Sequence, residues 1–415
     1  MAKTSVLFLI KQKSRSESNM MTQCRICGAT LSPPDYSAAA PAITSISTHL
    51  AIPTQTYICR ICGHGQSPDL PKIQEFYDTQ YRISLQSDQH DQLYEVRDGQ
   101  PVFRTHRQAE MLAAIGLPLN ARVLDFGAAK GTTLRTFLES RPDLRPSIFD
   151  VSHDYVGFWQ GWVPASEQAI HCLPTDWQAR FDLVTAHFVL EHVVDPIETL
   201  KRLAELLAPG GKVFFTVPDP LSNTGDFLVV DHVNHFTASS LIKTCELAGL
   251  VAHTLSSDLF RGAYVVIAER AAVSDSSSGG IKTDVGSVII QALDALAFWS
   301  KALGSLDADQ EVAGHVPTAI YGAGFYGALI TSRLHQRPLC FLDRNRYLQG
   351  QDYLGVPVLA PEDCPDSIRR IYPGLNPLHA RDILVDADIW MPLGATICYL
   401  AEAELSPTSS HDQGV

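Results

Sequence analysis

The sequence of 415 residues lacks an apolar run approaching the roughly 20 residues that a membrane-spanning helix needs. Its longest early apolar stretch, residues 5–10, is short even for a signal peptide and has no small-residue cleavage site after it. Basic residues are scarce too, with 32 Lys and Arg against 45 Asp and Glu and a net charge of −13. These shortages argue against a membrane protein, an exported protein and a protein that binds nucleic acid. They leave open a phosphorylated small substrate held by backbone dipoles.

Length and composition favour two or three domains, at roughly 150 residues per domain. We expect the true start near Met20 and Met21, with residues 1–20 a disordered extension. The predicted segments are a zinc-binding domain over 21–68, a connecting helical or lid segment over 69–106, a methyltransferase domain over 107–270, a Ser-rich linker over 271–284, a helix and Rossmann-like domain over 285–400, and a polar tail over 401–415.

Nine cysteines are present, and four of them form two Cys-x-x-Cys pairs with 31 residues between the pairs. The pairs are Cys24-Arg-Ile-Cys27-Gly and Cys59-Arg-Ile-Cys62-Gly. Two such turns aim four thiolates at one ion, which predicts a closed, structural zinc site. A redox dithiol is the alternative, but it normally opens a helix in a thioredoxin-like context that is missing here. The cysteine usage indicates a reduced, cytoplasmic protein.

From residue 107 onward, short apolar strands alternate with helices, which predicts a parallel sheet with crossover helices. Asp195-Pro196-Ile-Glu predicts a helix start, with Asp195 as the N-cap and Pro196 at the first helical position. The predicted strands cover 122–126, 147–151, 181–190 and 212–217, and a hairpin covers 251–257 and 263–268. The predicted helices cover 109–115, 132–139, 196–207, 238–248 and 285–303.

A glycine-containing turn, Gly127-Ala-Ala-Lys-Gly131, follows the first of these strands and opens a helix, so its backbone can approach a ligand closely. Asp150, 19 residues beyond Gly131, is placed to accept both hydroxyls of a ribose. Asp125 precedes the turn, where an acid would repel a pyrophosphate and would suit a cofactor carrying an ammonium and a sulfonium. A nicotinamide cofactor stays open on these residues alone.

Together with Phe181-Asp-Leu-Val, Leu190-Glu-His-Val and Pro209-Gly-Gly, these motifs resemble the S-adenosylmethionine-dependent methyltransferases of the seven-strand Rossmann-like class. The resemblance implies an α/β fold and S-adenosylmethionine as cofactor. The implied cofactor-binding residues are Asp125, Gly127, Ala129, Gly131, Asp150 and His187. Ala129 replaces the usual middle glycine of the turn, and His187 matches a position that often lines the cofactor or is a plain strand-end histidine.

The order of the predicted domains resembles one group within this class. A Cys₄ domain, then a methyltransferase core and then a second glycine-turn domain are similar to the sugar C-methyltransferases. Those enzymes act on nucleotide-linked keto-deoxysugars, which implies such a sugar as the small-molecule acceptor here. The resemblance also places a substrate site at Asp231-His232-Val-Asn-His235. The family's Tyr-His-Glu-His run is only half kept, since Val229 and Val230 stand at its first two positions.

The candidate catalytic residues are His232, His235, His192 and Asp231. A histidine of near-neutral pKa suits proton removal from a carbon beside a ketone or from a hydroxyl. The alternatives are that His232 and His235 cap the following helix and that His192 holds a loop. Tyr81 could reach substrate, although a packing role is the simpler interpretation.

A second glycine turn, Gly322-Ala-Gly-Phe-Tyr-Gly327, has Asp343 16 residues beyond it and fits the dinucleotide fingerprint. It indicates a nucleotide-sugar or NAD pocket, or a degenerate unit that shapes the substrate cleft. Sugar C-methylation is thus the leading hypothesis. The rivals are an O-methyltransferase for a sugar or small hydroxylated metabolite, an NAD-dependent oxidoreductase, and a binding protein without chemistry.

Overall fold

The computed structural model describes residues 23–70, 91, 93–271 and 281–400. The predicted extension 1–20, the tail 401–415, Tyr81 and most of the predicted linker lie outside these residues. Among the described helices, none combines the length and the apolar character that a membrane crossing requires. The chain forms two compact units, the first from Met1–Ser32, Cys59–Ser222 and Val233–Val288, the second from Pro33–Ile58, Asn223–His232 and Ile289–Val415.

A seven-stranded sheet with the order β3-β2-β1-β4-β5-β7-β6 organises the first unit. Its strands are β1 (Arg122–Phe126), β2 (Arg145–Asp150), β3 (Gln168–Ile170), β4 (Phe181–His187), β5 (Leu207–Pro218), β6 (Leu250–Phe260) and β7 (Ala263–Arg270). Strands β1 to β5 are parallel, and β7 runs antiparallel to both β5 and β6. The predicted α/β Rossmann-like fold with a closing antiparallel pair is confirmed.

Crossover helices cover the sheet because the central strands are apolar on both faces, as buried parallel strands are. Val123 and Leu124 of β1 and Leu183 and Val184 of β4 have no exposed surface. The helices of this unit are α1 (Arg104–Ala113), α2 (Thr132–Ser140), α3 (Val156–Trp159), α4 (Pro196–Leu206) and α5 (Ala238–Leu247). The predicted N-cap is confirmed at α4, where the Asp195 side chain accepts a hydrogen bond from the backbone N–H of Glu198 at 2.9 Å.

Several predicted boundaries differ from the structure. Strand β4 ends at His187 and not at Leu190, because Phe188 takes a positive φ of 56° and Leu190–His192 form a 3₁₀ turn. Strand β5 begins at Leu207, five residues before the predicted start at 212. It therefore includes the Pro209-Gly-Gly segment, where the register of its pairing with β4 shifts.

The predicted helical or lid segment over 69–106 contains a β-hairpin in its described part. Strands Leu93–Arg97 and Gln100–Phe103 pair antiparallel, and Asp98 and Gly99 form the turn with φ of 52° and 75°. Two successive residues with positive φ make the tight hairpin turn that an Asp-Gly dipeptide favours. That dipeptide is the sequence signal for this hairpin.

A second Rossmann-like sheet forms the core of the second unit, with the order β10-β11-β9-β8-β12-β13. Its strands are β8 (Thr318–Tyr321), β9 (Cys340–Leu342), β10 (Asp352–Tyr353), β11 (Val356–Leu359), β12 (Arg370–Pro373) and β13 (Thr396–Ile397). The helices are α6 (Val285–Ala313), which belongs to this unit from Ile289 onward, α7 (Phe325–Arg333), α8 (Ala380–Ile383) and α9 (Ala387–Trp390). Helix α6 is ten residues longer than predicted, because its sequence stays helix-compatible up to Gly314.

Residues 33–58 fall in the second unit, whereas the sequence predicted one zinc-binding domain over 21–68. They carry the short strands Tyr36–Ala38, Ala42–Ile43, His49–Leu50 and Thr54–Ile58. Long-range hydrogen bonds tie them to that unit, from the Thr56 hydroxyl to the Phe227 carbonyl at 2.6 Å and between His49 Nε2 and the Ala328 carbonyl at 3.0 Å. Sequence composition carries no information about such distant partners.

Candidate active site and cysteine cluster

The turn between β1 and α2 has a backbone that only small residues accept. Gly127 and Gly131 have φ of 71° and 73°. A Cβ on Gly127 would lie 2.6 Å from Cγ2 of Val189, and a Cβ on Gly131 would lie 2.7 Å from Cδ1 of Ile148. Ala129 between them has φ of 49°, a left-handed conformation that costs a non-glycine residue about 1 kcal/mol. This strain explains why glycine is usual at that position.

Asp150, at the carboxyl end of β2, fastens this turn to the neighbouring strand. One carboxylate oxygen accepts a hydrogen bond from the Ala129 N–H and the other from the Ser152 N–H, both at 2.8 Å. Burial raises the pKa of Asp150, and these backbone donors oppose the rise. A carboxylate has about four lone-pair sites, so Asp150 retains the capacity to accept ribose hydroxyls.

Asp125 lies near the carboxyl end of β1 and is 3% exposed. Its carboxylate accepts a hydrogen bond from the Thr185 hydroxyl at 2.8 Å. Burial raises the pKa of Asp125 to about 7, and the charge of Asp150 adds to the increase. A cationic ligand beside this group would stabilise its ionised form, which fits a cofactor that carries an ammonium.

His187 closes β4, beside Thr216 of the neighbouring strand. Its Nδ1 lies 3.5 Å from the Thr216 hydroxyl, and its Nε2 is buried with no hydrogen-bond partner among the described residues. Burial, with the positive charge of Arg104, lowers the pKa of His187 to about 3. The ring is therefore neutral at physiological pH, and its unpaired nitrogen suits a polar group of a ligand at the strand ends.

The four paired cysteines come together in the first unit, with all their Sγ atoms within 4.8 Å of one another. Cys24 and Cys62 have Sγ atoms 3.6 Å apart, and Cys27 and Cys59 have Sγ atoms 3.4 Å apart. A disulfide requires about 2.05 Å, so these are free thiols. Four thiolates around a tetrahedral ion with bonds of about 2.3 Å are about 3.8 Å apart, so the cluster fits a metal ion.

The cysteine turns also hold the chain segment that carries the candidate histidines. The Arg25 guanidinium, between Cys24 and Cys27, donates to the Val233 carbonyl. The Ser239 hydroxyl donates to the Cys62 carbonyl at 2.8 Å. Residues 233–239 are thereby attached to both cysteine turns.

His235 belongs to this attachment. The short strand Asn234–His235 pairs with Gly65–Gln66 just past the second cysteine turn. The His235 side chain has no exposed surface, and its Nε2 lies 2.9 Å from the Ser67 hydroxyl. These contacts favour a structural role for His235, which was the alternative to a catalytic role in the sequence analysis.

His192 lies in the 3₁₀ turn Leu190–His192 after β4 and is half-buried. The Asn234 carboxamide donates to the carbonyls of Leu190 at 3.0 Å and Val193 at 2.6 Å. Asn234 therefore sets the path of the loop that carries His192. The sequence flagged the run containing Asn234 but assigned that residue no role.

His232 and Asp231 belong to the second unit, whereas His235 and His192 belong to the first. The Asp231 carboxylate accepts hydrogen bonds from the backbone N–H and the hydroxyl of Ser45 at 2.7 and 2.6 Å. His232 Nδ1 lies 2.6 Å from Oδ1 of Asp226. Sequence reasoning missed Asp226, because no motif pairs an acid with a histidine six positions later outside a predicted helix or strand.

The second glycine turn repeats the arrangement of the first within the second unit. Gly322 has φ of 107°, and the Asp343 carboxylate accepts hydrogen bonds from the Ala323 and Asn345 N–H groups, both at 2.8 Å. The acid that ends the second strand therefore braces the glycine turn in both sheets.

Comparison with known proteins identifies the region that holds the first turn. A family model described as a methyltransferase domain matches residues 102–255. A ubiquinone biosynthesis O-methyltransferase from Coxiella burnetii is 39% identical over 74 residues, which is 18% of this chain and 31% of that protein. One from Xanthomonas axonopodis is 32% identical over 104 residues, 24% of this chain and 44% of that protein. The chain thus spans less than half the length of these curated relatives.

Solved structures give a similar but weaker likeness. An S-adenosylmethionine-dependent methyltransferase from Mesorhizobium loti is 17% identical, covering 40% of this chain and 98% of its own, with a TM-score of 0.33. The complex of the Haloferax volcanii Trm112 activator with a methyltransferase gives 17% identity, 41% and 91% coverage, and a TM-score of 0.35.

Proposed function

We propose that this chain, whose residues 102–255 form a methyltransferase domain, transfers a methyl group from S-adenosylmethionine to a carbon of a nucleotide-linked sugar. The observation that carries the proposal is the bracing of the β1–α2 turn by Asp150, within the residues that match a methyltransferase domain. The runner-up is methyl transfer to a hydroxyl oxygen.

The cofactor side of the site is assigned to the residues at the carboxyl ends of β1, β2 and β4. S-adenosylmethionine, when bound, supplies an electrophilic methyl group on a sulfonium. In this proposal Gly127, Ala129 and Gly131 give the cofactor close access to the backbone, and Asp150 accepts the ribose hydroxyls. Asp125 compensates the positive charge of the cofactor. The unpaired Nε2 of His187 supports a place for this histidine along the same pocket.

For the acceptor, we give His232 the role of base. A C-methylation needs a proton removed from a carbon beside a ketone, and a histidine does this near neutral pH. The nucleotide-linked sugar rests on the order of the three sequence parts, which resembles the sugar C-methyltransferases. The full burial of His235 against Ser67 favours a structural role for that histidine.

Transfer to oxygen is the second candidate because the curated relatives are O-methyltransferases. Val229 and Val230 also favour it, since both are buried apolar residues where the sugar C-methyltransferases carry a tyrosine and a histidine. The same His232 would then take a proton from a hydroxyl.

We also propose that the cysteine cluster holds a structural zinc ion. Four sulfur ligands leave no open coordination position, which is the donor set of a structural site and not a catalytic one. The attachment of residues 233–239 to both cysteine turns supports a role for the ion in ordering the acceptor side.

The proposal is tested by calorimetric titration of the zinc-loaded protein with S-adenosylmethionine. Asp150→Ala should weaken binding about 10- to 100-fold, because hydrogen bonds to a charged group contribute about 1.5–3 kcal/mol. Asp143→Ala is the matched control, since this half-buried aspartate precedes β2 and accepts hydrogen bonds from Arg141 and the Asn120 backbone N–H.

Acceptors are then screened by mass spectrometry for the gain of one methyl group. A set of nucleotide-linked keto-sugars tests C-methylation, and hydroxylated sugars and phenols test O-methylation. Equal binding by wild type and Asp150→Ala would refute the cofactor assignment. Tight binding without transfer to any keto-sugar, but with transfer to a hydroxyl, would replace the first candidate by the second.

A further inference from the structure

We infer that Asp226 is a positioning residue for His232, holding the ring in one orientation and one tautomer so that Nε2 is its basic nitrogen. This inference rests on the proposed function and deepens it, because it assigns a role to a carboxylate that no sequence motif contains. Asp226 lies in the 3₁₀ turn Thr224–Leu228, and His232 follows four residues after that turn ends.

Geometry carries the inference. The distance from His232 Nδ1 to Asp226 Oδ1 is 2.6 Å, which is a short hydrogen bond for a nitrogen and an oxygen atom. The Asp226 side chain is 3% exposed and that of His232 is 9% exposed. The carboxylate is therefore the inner member of the pair and the imidazole the outer one, as expected for a base held from behind by an acid.

The turn that carries Asp226 is itself fixed by its surroundings within the second unit. The Phe227 carbonyl accepts the Thr56 hydroxyl at 2.6 Å, and the Thr224 hydroxyl lies 3.2 Å from Nε1 of Trp299. A carboxylate that must orient another side chain needs such support, since a small displacement would lengthen the bond.

Asp231, the acid adjacent to His232, has a different task. Both of its oxygens accept hydrogen bonds from Ser45, so it fixes the backbone just before the histidine. The two acids therefore have different roles: Asp231 fixes the backbone before His232, and Asp226 orients the imidazole ring of His232.

The chemical consequence concerns the proton of the neutral imidazole. A carboxylate accepts only, so the proton of the ring must reside on Nδ1 when that atom bonds Asp226. The lone pair is then on Nε2, and this nitrogen takes the proton of the acceptor. Asp226 stabilises the imidazolium that results and does not itself become protonated.

The test uses the full-length protein labelled with ¹⁵N at histidine. Imidazole ¹⁵N shifts report the tautomer directly, and His232→Asn identifies the signals. We expect the Nδ1–H form in wild type and a shift toward the Nε2–H form in Asp226→Asn, because an amide can donate to Nδ1. Asp226→Glu should restore the Nδ1–H form in part. Asp309→Asn is the control, since this carboxylate pairs with Arg370 and Tyr372 in the same unit.

The second readout is methyl transfer to the acceptor found in the screen above. Asp226→Asn should lower kcat by about 100- to 10,000-fold with S-adenosylmethionine affinity and melting temperature near wild type. An unchanged tautomer in Asp226→Asn would overturn the inference, whether or not transfer is detected. A changed tautomer with an undiminished kcat would also overturn it, while leaving the proposed function intact. If wild type methylates nothing but shows the Asp226-dependent tautomer, the proposed function fails and the hold of Asp226 on the ring stands.

Discussion

At the scale of single residues, two buried aspartates at neighbouring strand ends differ in their hydrogen-bond donors. Asp150 bonds two backbone N–H groups, which stabilise its charge although burial raises its pKa. Asp125 accepts a side-chain hydrogen bond from the Thr185 hydroxyl, and burial raises its pKa to about 7. The first therefore suits an uncharged diol, and the second suits a cation that restores its negative charge.

The shifted pKa of Asp125 predicts a pH dependence of stability. Its ordinary pKa is 3.8 and its folded value is about 7, so the folded protein without cofactor keeps a proton that the unfolded chain has released between these values. The free energy of unfolding should therefore fall as pH rises through this window, by up to about 1.4 kcal/mol per pH unit from this group. Asp125→Asn should remove that part of the slope.

Urea unfolding at several pH values between 4.5 and 7.5 measures the effect. Asp150 contributes with the same sign in both proteins, so the difference between wild type and Asp125→Asn isolates Asp125. Parallel pH profiles for the two proteins would contradict the assignment.

At the scale of elements, the cysteine turns act as a scaffold for the segment that follows β5. Arg25 of the first turn reaches the carbonyl of Val233, and the carbonyl of Cys62 in the second turn accepts the Ser239 hydroxyl. Because both turns depend on the four sulfurs, the order of residues 233–239 depends on whatever those sulfurs bind.

Removal of the proposed metal ion should therefore increase the mobility of this segment before it affects the sheet. After chelation, amide hydrogen exchange of residues 233–240 should accelerate at least about tenfold, whereas β1 should keep its protection. Cys27→Ser should behave like the chelated protein. Cys364→Ser, which changes a cysteine of the second unit, is the control. Uniform acceleration across the first unit, or none at all, would contradict a local role for the cluster.

Some boundaries of helices and strands are set by neighbouring residues, and others are set by residues far away in the sequence. The N-cap of α4 and strand β1 were predictable, because capping chemistry and a short apolar run act within a few residues. The end of β4 was not, since the positive φ of Phe188 follows from tertiary packing and no local pattern marks it. The hairpin over Leu93–Phe103 was missed although Asp98-Gly99 signals it.

At the scale of the whole chain, the two Rossmann-like sheets contain the same hydrogen bond between an acid and a glycine turn. In each, an acid at or just after the end of the second strand accepts a hydrogen bond from a backbone N–H of the glycine turn. The Ala129 N–H donates to Asp150 and the Ala323 N–H donates to Asp343, both at 2.8 Å. The same bond arises twice because a parallel sheet brings the carboxyl ends of adjacent strands to one edge.

Because each acid braces a different glycine turn, we expect substitution of the two acids to affect cofactor binding differently. Asp150→Ala should weaken S-adenosylmethionine binding, whereas Asp343→Ala should leave the dissociation constant within about twofold of wild type. The oxidoreductase hypothesis is examined with the same proteins, by titrating NADH. Binding of NADH that Asp343→Ala abolishes would support that hypothesis, and a loss of S-adenosylmethionine affinity in Asp343→Ala would refute the assignment of cofactor to the first turn.

Local patterns in the amino-acid sequence determine much of the fold of this protein. The strand–turn–helix units, the Cys-x-x-Cys spacing and the acids near the ends of the second strands are local or periodic features, so they predict the α/β fold, the cysteine cluster and the two glycine turns. Which unit each segment joins, the pairing of Asp226 with His232 and the burial of His235 depend on contacts between residues far apart or outside any period. Such contacts form only when the chain closes on itself, because side-chain packing and hydrogen bonding across long loops choose among partners that the local sequence leaves equivalent.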